Sequence, residues 1–262
     1  MHKLVLTGIT MLLSLALQAQ GLPLCQESPF VAGERIDMGI MFKWGAVNTE
    51  VAQASLRLET VPYQQDSVFH AVCAVKSAPF FDVFYKMREN FESWFTPEEH
   101  KPLEARRNTI QNSYTATNHF IYDWDARVIK ADVCFDGREP QQKDLKMKGM
   151  SYDIVTLIYH LRNVDWRSAQ TGMAYTVPFA IDDAVSELRV TYKGPEVFKV
   201  RRLGKKNAIR FSCTVVAGAL FEGDQELQVW FSADDRHVPL AVMVPLKMGT
   251  MWAWLKSWEG LK

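Results

Sequence analysis

The chain lacks close cysteine pairs, net charge and any recognised catalytic signature. Its four cysteines, Cys25, Cys73, Cys134 and Cys213, lie far apart, which excludes a zinc knuckle or a C-x-x-C redox motif. They read as core thiols or one disulfide. Thirty basic residues balance thirty acidic ones, so no broad field draws the chain to nucleic acid or an anionic membrane. The basic stretches Lys143–Lys148 and Arg201–Lys206 have no interleaved aromatics and read as turns or solvated edges. There is no G-x-S-x-G, since Ser151 precedes Tyr152-Asp153. Among the six histidines, His2, His70, His100, His119, His160 and His237, none forms H-E-x-x-H. Gly33-Glu34 and Gly45 lack the spacing of a pyrophosphate cradle. The acidic pairs Glu98-Glu99, Asp182-Asp183 and Asp234-Asp235 read as solvated turns. No catalytic residue, metal ligand or cofactor is assigned.

What is present starts at the front. Met1-His2-Lys3 precedes an apolar run from Leu4 to Leu17, closing at Ala16-Leu17-Gln18-Ala19. At about 14 residues it is short of the roughly 20 a spanning helix needs, and it reads as a secretory signal over residues 1–19. Residues 20–29 form a leader and 30–262 the mature body. The expectation is an exported protein, periplasmic or associated with the outer membrane or cell surface. No integral membrane span is expected after signal removal. Leu22-Pro23-Leu24 before Cys25 does not supply the small residue that lipid attachment wants immediately before its cysteine.

The body reads as mainly β. Alternation marks strands at Arg35–Trp44, Val51–Leu58, Ser67–Val75, Leu103–Thr109, Ser113–Asp123 and Val128–Phe135. Phe84–Phe95 suits either a strand or a short helix. Asp136-Gly137-Arg138-Glu139-Pro140 is a turn. One clear helix follows, capped by Ser151 or Asp153, with Ile154, Leu157, Ile158 and Leu161 on its apolar face. Further strands are expected at Met173–Ala180, Ser186–Tyr192, Glu196–Val200, Ala208–Val216, Glu226–Phe231 and Val238–Val244. A lone central helix in a β chain predicts a strongly curved antiparallel sheet or incomplete β-barrel with the helix covering it. A subdivision into two lobes is offered near 141–150.

Aromatic residues crowd two segments. Phe80, Phe81, Phe84, Tyr85, Phe91, Trp94 and Phe95 fall close together, and Trp252, Trp254 and Trp258 crowd the end. Both clusters suit a large β core. They also suit an apolar cavity or groove for a lipid-like or amphipathic small molecule. Phe80, Phe84, Tyr85, Phe91 and Trp94 are the candidate lining, with Tyr159 and Arg162 as polar determinants. The alternatives are a scaffold meeting another envelope protein, and a hydrolase assembled around His160, His237, Asp234 or Asp235.

Phe30-x-x-Gly33-Glu34, Gly45, Tyr152-Asp153, Tyr159, Arg162 and Val229-Trp230-Phe231-Ser232 leading through Asp235-Arg236 to Pro239 occur in an order that resembles the DUF3108 family. These are exported bacterial proteins without an established activity. The resemblance runs from about Phe30 to the C-terminus. It implies an extracytoplasmic β protein, related in architecture to envelope lipid carriers with curved half-barrel sheets, and carries no active site onto these residues.

Overall fold

The computed structural model describes residues 23–217 and 226–260, so the expected signal segment lies outside the described residues. The period-2 segments form strands β1 (Arg35–Trp44), β2 (Val47–Tyr63), β3 (Asp66–Ser77), β4 (Met87–Phe95), β5 (Pro102–Gln111), β6 (Tyr114–Asp123), β7 (Val128–Phe135) and β8 (Gln141–Lys146). After helix α1 (Ile154–Asn163) come β9 (Ala174–Ile181), β10 (Ala184–Val200), β11 (Gly204–Ala217), β12 (Leu227–Ser232), β13 (Pro239–Pro245) and β14 (Thr250–Glu259).

All fourteen strands belong to one sheet, in the order β8-β7-β6-β5-β4-β3-β2-β1-β14-β13-β12-β11-β10-β9. The first half meanders away from β1 and the second half returns to it, so β1 pairs antiparallel with both β2 and β14. The free edges are β8 and β9, and α1 lies in the connection between them. The sheet curls without closing. Tyr152 bridges the gap by donating its N–H to Pro178 O (3.0 Å) and accepting from Ala180 N (2.7 Å). Lys143–Asp183 (2.6 Å) and Lys148–Glu187 (3.1 Å) tie the same seam.

Inside the curl, α1 fills the lumen. Its side chains Leu157 and Leu161, with the following Trp166, pack on Val177, Phe179, Val190, Phe211 and Phe231. Val155 and Tyr159 face Phe30, Ile36, Leu58, Phe95 and Leu255. Asp153 starts the helix as N-cap, accepting from Val155 N (2.8 Å) and Thr156 N (3.1 Å), while Thr156 Oγ1 completes a capping box.

Four local expectations change. The stretch beginning at Phe84 divides, because Ala78–Tyr85 closes on itself through turn bonds and only Met87–Phe95 is strand. The stretch near 141–150 holds β8, whose Gln-Gln-Lys-Asp-Leu-Lys sequence hides its period because Leu145 alone points into the core. That polarity suits an edge strand, which charged side chains protect from pairing with other chains. Ser186–Tyr192 and Glu196–Val200 are one strand, with a register shift between Tyr192 and Gly194. The tryptophan-rich end is itself strand β14, pairing with β1 and β13.

Beyond that bulge the β10–β11 hairpin bends over the outer face of the sheet. Trp230 and Phe231 are neighbours on β12 and point to opposite faces. Phe231 meets Phe211 inside, and Trp230 stacks outside on Phe198 (4.6 Å) and Trp252 (5.5 Å). Phe198 also stacks on Trp254 of β14 (5.6 Å). A β10 side chain reaches β14, four strands away in the sheet, because the arm folds back.

Candidate functional site

The segments that carry the family resemblance converge on one buried group. Gly33, at φ +93°, turns the chain before β1 and places its N–H on Leu58 O (2.7 Å), which aims the Glu34 carboxylate inward. The last turn of α1 brings Arg162 to it. The pair is bidentate, NH1 to Oε1 at 2.5 Å and NH2 to Oε2 at 2.7 Å. Arg162 also donates to the carbonyls of Arg236 (3.2 Å) and His237 (3.2 Å) in the β12–β13 turn. His237 Nδ1 donates to the Arg162 carbonyl (2.6 Å), since a carbonyl can only accept. The guanidinium lies over the rings of Phe30 (5.2 Å) and Tyr159 (5.4 Å). Both charged side chains have 0% exposure, so no solute reaches them. Chemically this is a lock joining the segment before β1, the helix and the late turn.

Beside the lock opens a polar cleft of about 760 Å³, lined by Cys25, Ser28, Asp165, Arg167, Asp234, Asp235 and His237. It collects three members of the hydrolase alternative and omits His160. That ring stacks on Tyr152 (4.5 Å), with its Nδ1 3.0 Å from the tyrosine hydroxyl. Asp234 is engaged by Ser232 (2.6 Å) and Arg236, and Asp235 pairs with Arg167 (3.1 Å). Burial lowers the His237 and His160 pKa values, the latter to about 4. The four groups are not brought together. Among the described residues no group of three or more His, Cys, Asp and Glu side chains is placed to hold a metal.

The candidate ligand residues fall into three environments. Phe80, Phe84 and Tyr85 stand exposed on the β3–β4 turn, Phe84 at 77% and Phe80 at 56%. Phe91 faces the lumen with the apolar cluster under α1. Trp94, an odd number of positions further along the strand, points outward, where it stacks on His70 (4.4 Å) and lies under Arg106 (5.1 Å). Tyr159 and Arg162 are fully buried. The set does not line one cavity.

A polar layer closes the lumen near the exposed turn. Tyr85 Oη donates to Gln111 (3.0 Å), Gln111 to Glu89 (2.5 Å), Thr109 to Glu89 (2.5 Å) and Arg107 Nε to Thr109 (2.7 Å), while Arg107 pairs with Asp182 of the β9–β10 turn. Beneath it Phe91, Phe120, Ile154 and Ile181, with Arg107 and Asn118, line a void of about 20 Å³, room for about one water. The lumen under α1 is packed by the helix and the apolar clusters on either side of it. Sequence reasoning passed over this layer because its members come from two strands and two separate turns. It also passed over Trp44, Val47, Val83, Leu246 and Met248, exposed apolar residues at hairpin tips. For Trp44, Val47, Leu246 and Met248 the signal was bulky apolar residues beside Gly45 and Gly249, where other turns of the sheet carry polar residues such as Gln64-Gln65 and Asn112.

The β3–β4 turn is held firmly. Phe81 and Asp82 N–H groups bond Ala78 O, and Phe84 and Tyr85 N–H groups bond Phe81 O. Asp82 pairs with Arg88 (2.5 Å) and accepts from Ser77, which together hold its carboxyl down at about 2. Asn112 caps Lys86 N (2.9 Å).

No described helix is long and apolar enough to cross a membrane. No curated protein matches the chain at a significant level. Among solved structures, the chain is similar to a beta-barrel-like protein of domain of unknown function DUF1849 from Brucella abortus. The TM-score is 0.56 and the identity 7%, covering 86% of this chain and 96% of that one. At that identity the likeness shows the fold alone. The profile of the family described as "Protein of unknown function (DUF3108)" matches residues 40–253, most of the length, and the chain belongs to that family.

Proposed function

We propose that this is an exported, non-enzymatic protein of the cell envelope that binds an apolar or amphipathic ligand at its rim, with its lumen closed. One observation carries the reading. Phe80, Val83 and Phe84 are exposed to 56%, 83% and 77% on a turn pinned by its own hydrogen bonds and the Asp82–Arg88 pair. Apolar side chains held rigid in water cost solvation without packing, and rigidity lowers the entropy lost when a partner covers them. The filled lumen favours surface binding over internal carriage, and hydrolysis is disfavoured because Asp234, Asp235 and His237 are engaged by Arg236, Arg167 and the Arg162 carbonyl while His160 lies elsewhere.

The test is native mass spectrometry of the protein isolated from the envelope of its host, followed by identification of any retained molecule. A retained amphiphile that disappears from the Phe80→Ser/Phe84→Ser variant, with an unchanged thermal melt, supports the reading. A clean apo mass, or a ligand retained equally by the variant, sinks it.

A further inference from the structure

Strand directions place several hairpin connections at one end of the curled sheet. There β1 ends and β2 begins, β3 ends and β4 begins, and β13 ends and β14 begins. These three tips are adjacent, since β13, β14, β1, β2, β3 and β4 are consecutive in the sheet. Each displays apolar side chains. They are Trp44 and Val47 on the first, Phe80, Val83 and Phe84 on the second, and Leu246 and Met248 on the third. Gly249 carries a φ of +81°, and a Cβ there would lie 2.3 Å from Lys43 O and 3.0 Å from the Trp44 side chain, so the first and third tips touch.

Charge on the tips is one-sided. Lys43 and Lys86 flank the aromatics and are exposed. The single acidic residue across the three tips, Asp82, is paired with Arg88. The remaining described tips at that end are polar, with Asn112, Asp136 to Pro140, and Asp182-Asp183. The described tips at this end are therefore split into an apolar, lysine-flanked set and a hydrophilic set.

We infer that this apolar half docks the protein on an anionic bilayer surface, inserting the three tips while Lys43 and Lys86 meet lipid phosphates. The inference rests on the rim-binding reading and names its partner. Aromatic and methionine side chains on separate protruding tips suit a soft interface, where apolar bodies enter and lysines stay at headgroup level. A preformed protein partner would need a pocket for each tip. The chain as a whole carries no net charge, so attraction at this rim is local and short-ranged in salt.

The experiment is co-sedimentation of the chain from Gln20 onward, which contains every described element, with phosphatidylethanolamine–phosphatidylglycerol vesicles and with phosphatidylcholine vesicles. Binding should favour the anionic vesicles and weaken as salt rises. Trp44→Ser/Phe84→Ser/Met248→Ser should lower partition about tenfold or more, from three lost apolar insertions. Lys43→Glu/Lys86→Glu should abolish the anionic preference. Trp258→Ser, an exposed apolar residue at the opposite end, should change nothing, and all variants should melt as the parent does. Absence of vesicle binding by the parent, parental binding by the triple variant, or an equal loss in Trp258→Ser each overturns the inference. Binding of a monomeric short-chain phospholipid through Phe80 and Phe84 without vesicle binding leaves the rim reading standing and removes the bilayer; loss of both removes both.

Discussion

Glu34 and Arg162, 128 positions apart, meet in a two-point ion pair from which water is fully excluded. Each stabilises the other's burial, and the cost of leaving one alone exceeds the net value of the pair. Glu34→Ala or Arg162→Ala should therefore lower unfolding free energy by about 3–5 kcal/mol, while Glu34→Leu/Arg162→Met recovers much of that loss. Urea denaturation of the three variants measures it. A double variant as weak as the singles would mean that the carbonyl bonds to Arg236 and His237, and not the carboxylate, carry the lock.

Two histidines make the fold acid-sensitive. Burial is the first cause lowering His100 and His160, each to about 4, and the Glu98 charge near His100 opposes it only in part. His100 Nδ1 accepts from Asn163 Nδ2 (3.0 Å), a bond that protonation removes. Because folded values lie below the unfolded value of 6.5, the unfolded chain binds protons first as pH falls. The stabilisation is complete above 6.5 and is lost between there and about 4, by about 3 kcal/mol per histidine at most. Urea midpoints should fall through that interval, with a shallower slope in His100→Phe. Equal slopes for parent and variant would remove His100 from the account.

Asp153 ties the helix start to the sheet. Its carboxylate caps α1 and accepts from Ser93 Oγ of β4 (2.7 Å) and Thr156 Oγ1 (2.7 Å). Burial raises its pKa, opposed by these bonds. Asp153→Ala should cost about 2 kcal/mol, the upper end for a cap because the buried serine and threonine also lose their acceptor. Ser93→Ala should cost less, since the cap survives. Equal losses in the two variants would show that the β4 link outweighs the cap.

The strands inside the sheet were legible because burial of one face forces period 2, as in Ile129, Ala131 and Val133 against Lys130 and Asp132. β8 was hidden because an edge strand with one core residue shows no such period. The helix was legible through its cap and apolar stripe. Contacts were not. The same alternation that reveals β4 separates Phe91 from Trp94, which a count of nearby rings cannot show. Glu34 and Arg162 were visible as a resemblance, but nothing local says that residues so distant pair. Phe80 and Phe84 stood out because they cluster, but Trp44, Val47, Leu246 and Met248 were overlooked because each tip alone carries too few bulky residues to show and only strand pairing brings the tips together.

The outer aromatic stack makes the last prediction. Phe198 is held between Trp230 (4.6 Å) and Trp254 (5.6 Å), and Trp252 continues the stack on Trp254 (4.8 Å). Trp230 Nε1 donates to Glu196 (2.5 Å), fastening the arm beyond the Tyr192–Gly194 bulge. The arm's tip carries Arg201 and Arg202, which border a small cleft with Gly39, Glu50 and Trp254. Removing the Phe198 ring should release the arm before the sheet unfolds, because the inner face keeps Phe211 on Phe231 and Trp166. Limited trypsin digestion should then cut Phe198→Ala at Arg201 or Arg202 several-fold faster than the parent, with the global urea midpoint lowered by the loss of one partly buried ring, about 1–3 kcal/mol. Weaker coupling between the stacked indoles in circular dichroism should accompany the cut. Cleavage at the parental rate would show that the arm is held by its strand pairing alone.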